Sequence, residues 1–126
     1  MIKNVLIVAL GGGVGSVARY LLSFYVQKGT EGAFPWGTLV VNIIGSLLIG
    51  ILYGLSERGH LMSTELRLLL AVGLCGGFTT FSTFANENFI LIRGGELLHM
   101  SVYTGLSVVL GFFFVYLGYS LINLIR

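Results

Sequence analysis

The sequence contains no aspartate, one proline (Pro35) and one cysteine (Cys75), and only 10% of its 126 residues are charged. A soluble domain carries about 25% charged residues. With so few, a folded chain of this length cannot cover an aqueous surface, which excludes an ordinary water-soluble domain. A single cysteine excludes an internal disulfide and a thiolate metal cluster, and the ordinary reading of Cys75 is a small core residue. Without aspartate, a His/Cys ligand set or a nucleophile–base pattern, the chain is not expected to be an enzyme. His60 and His99 lie in or beside polar connectors and read as interfacial. Gly11-Gly12-Gly13 lacks the following Gly-Lys-Ser/Thr of a phosphate loop. The formal net charge of +2 is too small to argue for nucleic acid. The first apolar stretch is too long and too glycine-rich for a cleaved signal segment.

What remains is apolar. Hydrophobic residues make up 56% of the chain, and the mean hydropathy is +0.95. A membrane-spanning helix needs about 20 such residues. Four segments qualify, at about 4–26, 37–56, 66–92 and 97–124, joined by short polar connectors. The expectation is an all-α membrane protein, one four-helix domain over 1–126, with consecutive helices antiparallel. Trp36, Tyr20, Tyr25 and Tyr119 fall near segment ends, where amphipathic rings favour the interface. Four spans put both termini on one side. That side holds Lys3, Arg58, Arg67 and Arg126; the other holds Lys28 and Arg93, with Arg19 as a borderline third. Four against two or three is a weak bias and does not fix an orientation. One orientation by a narrow margin, and insertion in both with antiparallel pairing, both fit.

The polar residues inside the segments are few and clustered. The third segment carries Gly73-Leu74-Cys75-Gly76-Gly77-Phe78-Thr79-Thr80-Phe81-Ser82-Thr83-Phe84. Three glycines within five residues weaken a helix near its middle, so an interruption is expected there. Irregular backbone survives at membrane depth only where it is buried or lines a cavity. If helix resumes, Thr79, Ser82, Thr83 and Asn86 share one face, and Phe78, Phe81 and Phe84 another. A hydroxyl-and-amide stripe implies a wet or ion-lined path. Ring edges are positive and favour an anion, whereas exposed carbonyls at a break suit an alkali cation; the stretch offers both. Glu87 can cap this track or reach the headgroups.

In the first segment, Gly11/Gly15 and Gly12/Ser16 are small-xxx-small pairs that allow close helix approach. Arg19 lies about 22 Å along the helix at 1.5 Å per residue. It can snorkel to the headgroups or face a polar interior, and Ser16 one turn back favours the interior. Asn42 is the strongly polar side chain of the second segment, a helix–helix glue residue or a pore lining. Ser46, Gly50 and Gly54 continue as a small-residue track. In the fourth segment Tyr103, Ser107 and Gly111 recur every four residues.

Three stretches together, Gly12 to Arg19-Tyr20, Gly37-Thr38-Leu39-Val40-Val41-Asn42-Ile43-Ile44-Gly45 and the Gly73–Phe84 run, resemble the Fluc (CrcB) family of fluoride ion channels. The resemblance covers the whole chain, and the third stretch is its most specific part. It implies an antiparallel homodimer inserted in both orientations in the bacterial inner membrane, with two fluoride pathways. It also implies a structural sodium ion on the two-fold axis, held by the backbone carbonyls of Gly76 and Thr79. On the same basis Phe81, Phe84, Asn42, Ser82, Thr83, Tyr103 and Ser107 line the fluoride path, with Arg19 and Glu87 at the vestibules. A small multidrug-type transporter is the runner-up, but it needs an acidic residue deep in the membrane. An accessory subunit of a larger complex is a third reading, in which Asn42 and the hydroxyl stripe only join helices.

Overall fold

The apolar runs of the chain become helices because a backbone without water must satisfy its own hydrogen bonds. A computed structural model describes residues 1–30, 32, 34–57, 63–78 and 81–125, without the side chains of Ser82 and Ile125. In it α1 is Ile2–Lys28 and α2 is Trp36–Glu57. The third stretch opens with α3, Thr64–Arg67, passes into a π-helix over Leu68–Cys75 and returns to α in α4, Gly76–Phe78. Then come α5, Phe81–Arg93, and α6, Leu97–Ile125. Four stretches are long and apolar enough to cross a membrane: Ile2–Lys28, Trp36–Glu57, Thr64–Arg93 and Leu97–Leu124.

The helix ends follow local chemistry. Pro35 sits just before α2, where its missing N–H costs nothing. The Ser63 hydroxyl caps α3 by accepting from the Leu66 amide at 3.1 Å. After α5 the chain reverses at Gly95, with φ +75°. The Glu96 amide donates to the Leu91 carbonyl at 2.8 Å and the Gly95 amide to that of Ile92 at 3.1 Å. This is a Schellman turn, which needs a left-handed residue at that point.

Glycines decide which helices touch. A Cβ on Gly15 would fall well inside 3.0 Å of the Leu74 carbonyl oxygen, and one on Gly11 likewise against Leu69. A Cβ on Gly77 would meet the Gly12 carbonyl oxygen at 2.5 Å. Thus α1 lies backbone to backbone along the π-helix and α4. Residue numbers rise together along this contact, so the two run parallel. Lys3 Nζ closes its near end on Glu65 Oε2 at 3.1 Å.

The second close pair is α2 with α6. Gly50 abuts the backbone of Val115, Gly118 that of Leu47, and Gly54 the Ile122 side chain. Here too the numbers rise together, and the Tyr119 hydroxyl donates to Glu57 near the far end. Gly50 and Gly54 therefore serve a tight helix crossing. Ser46, the third member of that track, turns toward Gly111 and a cleft. The two parallel pairs join where Gly37 meets Ser23 and where α5 meets α6. Thr104 Oγ1 donates to Asn88 Oδ1 across the latter contact at 3.2 Å.

The glycines at 73, 76 and 77 are themselves helical. The widened π turn contains Gly73 and ends directly before Gly76 and Gly77, and such turns frequently mark functional sites. Thr79 and Thr80 lie outside the described residues.

Candidate functional site: a cleft and three adjoining cavities

The α2 face that carries Asn42, Gly45 and Ser46 is kept from sealing by these small side chains. A cleft of about 510 Å³ opens against it, lined also by Gly76, Phe81, Phe84 and Ser107. Ser107 arrives on α6, four residues beyond Tyr103. Its Oγ is buried and, among the described residues, has no hydrogen-bond partner. A buried hydroxyl without a partner costs about 1–3 kcal/mol.

Asn42 also faces a second, small cavity of about 30 Å³. Arg19, Ser23, Thr38, Val41 and Thr83 complete its walls. The space is enough for about one water. Arg19 is turned inward: its Nε donates to the Gly77 carbonyl at 3.2 Å. A charged donor on a helical carbonyl fixes the side chain between α1 and α4 and leaves the rest of the guanidinium facing this cavity.

Beyond it lie two outer cavities. One, of about 180 Å³, is formed by Ser23, Gln27, Pro35, Glu87, Ile90 and Leu91. The other, of about 450 Å³, is formed by Arg19, Tyr20, Ser23, Phe24, Gln27 and Lys28. Glu87 accepts from the Tyr103 hydroxyl at 3.4 Å, and Thr38 is within hydrogen-bonding reach of both. Tyr103 is fully buried. It sits in a row of rings, 5.1 Å from Phe84 and 5.8 Å edge-on from Phe34, while Phe84 is 6.0 Å from Phe81. Phe81, at the open end of the row, is 78% exposed.

Asn42, Phe81, Phe84, Ser107 and Gly76 thus share the large cleft. Thr83 and Arg19 join Asn42 at the small cavity. Glu87 and Tyr103 form a separate hydrogen-bonded pair next to it. Thr79 and the Ser82 side chain lie outside the described residues. Two lining residues, Thr38 and Ser23, are not singled out by the sequence reading. Spacing could have found both, since Thr38 lies four residues before Asn42 and Ser23 four after Arg19.

Among the described residues no group of three His, Cys, Asp or Glu side chains could hold a metal ion. The neutral oxygens here, backbone carbonyls among them, have the hard character that suits an alkali ion. Gly76 fits such a role in one respect: a Cβ there would meet nothing within 4 Å, so the backbone lies open on the cleft side.

The profile of the family described as CrcB-like protein, Camphor Resistance (CrcB), matches residues 6–119. The chain belongs to the CrcB family. Its relatives include a protein named fluoride-specific ion channel FluC from Phocaeicola vulgatus. It is 50% identical over 116 residues, which is 92% of this chain and 95% of that protein. A protein of the same name from Shewanella sp. W3-18-1 is 47% identical over 119 residues, covering 94% and 95%. Another, from Shewanella baltica OS185, is 44% identical over 120 residues, covering 95% and 96%. With four stretches able to span, this CrcB chain is a multi-pass bacterial membrane protein. Its relatives are named as channels and not as enzymes, in agreement with the absence of catalytic groups expected from the sequence.

Proposed function

We propose that this chain is a passive fluoride-selective channel that lets fluoride leave the cytoplasm and so lowers its level there. The observation that carries the reading is the meeting of the large cleft and the small cavity at Asn42. Fluoride is small and holds its water tightly. A path for it must supply replacement donors at every step and offer little to larger anions. The Asn42 amide, the Ser107 hydroxyl, without a partner among the described residues, and Thr83 are such donors; the family resemblance adds Ser82. Phe81 and Phe84 add ring edges, whose partial positive charge faces an anion. The 44–50% identical relatives named as fluoride-specific channels support the same substrate. No acidic residue stands among these lining groups of the cleft, which disfavours proton-coupled exchange.

The working unit in this reading is an antiparallel homodimer in the bacterial inner membrane. Each protomer is a single domain over 1–126 with its third helix interrupted near its middle. The weak charge bias between the two sides supports insertion in both orientations. The single chain leaves its cleft open and Phe81 uncovered, and a second copy would close both and give two pores. The backbone carbonyls of Gly76 and Thr79 would hold a structural sodium ion between the copies. Its charge, when bound, offsets repulsion between the protomers' anions. Tyr103 continues the ring row beyond Phe84 and is bonded to Glu87, and Arg19 is assigned to the outer end of the path.

Fluoride efflux from liposomes holding the purified protein, with chloride followed in parallel, tests the reading. The expected result is fast fluoride loss without chloride loss and without a proton gradient. Folded protein that passes no fluoride would overturn it in favour of a transporter or an accessory subunit.

A further inference from the structure

Ser23 is the one residue shared by all three smaller cavities: the small one beside Asn42, the Glu87 cavity and the Lys28 cavity. Arg19 borders the first and third of these, and Gln27 the second and third. Ser23 is half-buried on α1. Gly37 on α2 leaves room for it: a Cβ there would fall 2.6 Å from the Ser23 Oγ and 2.5 Å from its carbonyl oxygen. The two outer cavities differ in charge. One carries the Glu87 carboxylate. The other carries two cations, Arg19 and Lys28, and, among the described residues, no acidic group. Lys28 is steadied 6.0 Å over the Tyr25 ring.

We infer that Ser23 is the junction of the anion path, where the route from Asn42 forks, and that the anion passes through the branch lined by Arg19 and Lys28. The Ser23 hydroxyl donates to the ion between the Asn42 cavity and the cationic mouth. The Glu87 branch repels an anion electrostatically, and its carboxylate is already engaged by Tyr103. A serine in a membrane helix often only bonds back to its own backbone, and the placement of Ser23 against three cavities is what sets it apart. This assignment rests on the channel reading.

Two measurements test it. In liposome efflux, Ser23→Ala is expected to slow fluoride on the order of 10-fold, the scale of one lost hydrogen bond to a charged group, with unchanged elution of the detergent-solubilised protein. Ser23→Ala flux equal to that of the unaltered protein would overturn the hydroxyl's role. In the second, the Ser23→Cys variant is treated with a negatively and a positively charged methanethiosulfonate, the unaltered protein with buried Cys75 giving the baseline. The anionic reagent is expected to react several-fold faster, and Lys28→Gln to reduce that preference, with Arg19 keeping part of it. No labelling above baseline, or equal rates insensitive to Lys28→Gln, would overturn the cationic mouth. The labelling needs no fluoride current. If the unaltered protein passes no fluoride while the labelling preference stands, the channel reading has failed and the cationic mouth has not.

Discussion

At the scale of single residues, the sequence already shows which side chains are out of place in hydrocarbon, but not what each of them faces. Asn42 fits both glue and lining, and the structure sets it against two cavities at once. Arg19 has two readings because a long side chain can reach either way; its bond to the Gly77 carbonyl ties it inward. That outcome depends on a partner 58 positions distant, which no local pattern reveals. Thr38 and Ser23 escape notice because hydroxyls in apolar helices are common; their four-residue spacing from Asn42 and Arg19 is a faint signal, which the shared cavity with Asn42 and Thr83 makes plain. Two substitutions follow from the assigned lining. Asn42→Asp would replace an amide donor by an acceptor, and fluoride efflux should fall by at least ~10-fold, as for a lost hydrogen bond to a charge. Phe81→Ile keeps most of the apolar bulk but removes the ring edge, worth about 1 kcal/mol, and should slow efflux by roughly 5-fold. Both proteins should elute as the unaltered one does. Undiminished efflux in both would contradict the lining.

At the scale of elements, the four spanning stretches are legible because apolar runs of about 20 residues, separated by polar connectors, match the thickness of a bilayer. The π-helix is not. An i→i+5 turn has no pattern of its own; here it runs along α1 through Gly73, and Gly77 continues the contact in α4. Composition marks these glycines as helix breakers, and in α4 and the π-helix they instead allow close contact. The small-xxx-small pair Gly11/Gly15 is an interface with the third stretch, and Gly50 one with α6. Overpacking of such contacts costs typically about 1–3 kcal/mol. Gly15→Val and Gly118→Val should each lower the temperature at which the detergent-solubilised protein aggregates. Gly13→Val, at a glycine whose Cβ would meet nothing within 4 Å, should not. An equal effect at all three positions would refute the backbone-to-backbone account.

At the scale of the whole molecule, much apolar surface remains on view: Val5, Leu10 and Val17 on α1, and Val109, Phe112 and Tyr116 on α6, are more than half exposed. Lipid covers such residues, and so does a second copy, and hydropathy is the same for either. The near-even distribution of Lys and Arg is the readable hint of two orientations. Single cysteines introduced at Lys28 and at Lys3, on opposite sides, provide the check. With insertion in both orientations, an impermeant thiol reagent outside intact cells should label each to about half of its total. Complete labelling of one and none of the other would establish a single orientation.

Both close helix pairs are also separated in time. Lys3 meets Glu65, and Glu57 meets Tyr119, each across 62 positions. At about 5–20 residues per second of synthesis, the glycine face of α1 waits some seconds for its partner, and that of α2 waits as long for α6. During that interval the first two helices are already in the bilayer with neither glycine face covered. Local charge and hydropathy therefore act on the direction of entry before this packing does. Helices that find partners only later must do so from whichever side the ribosome has left them.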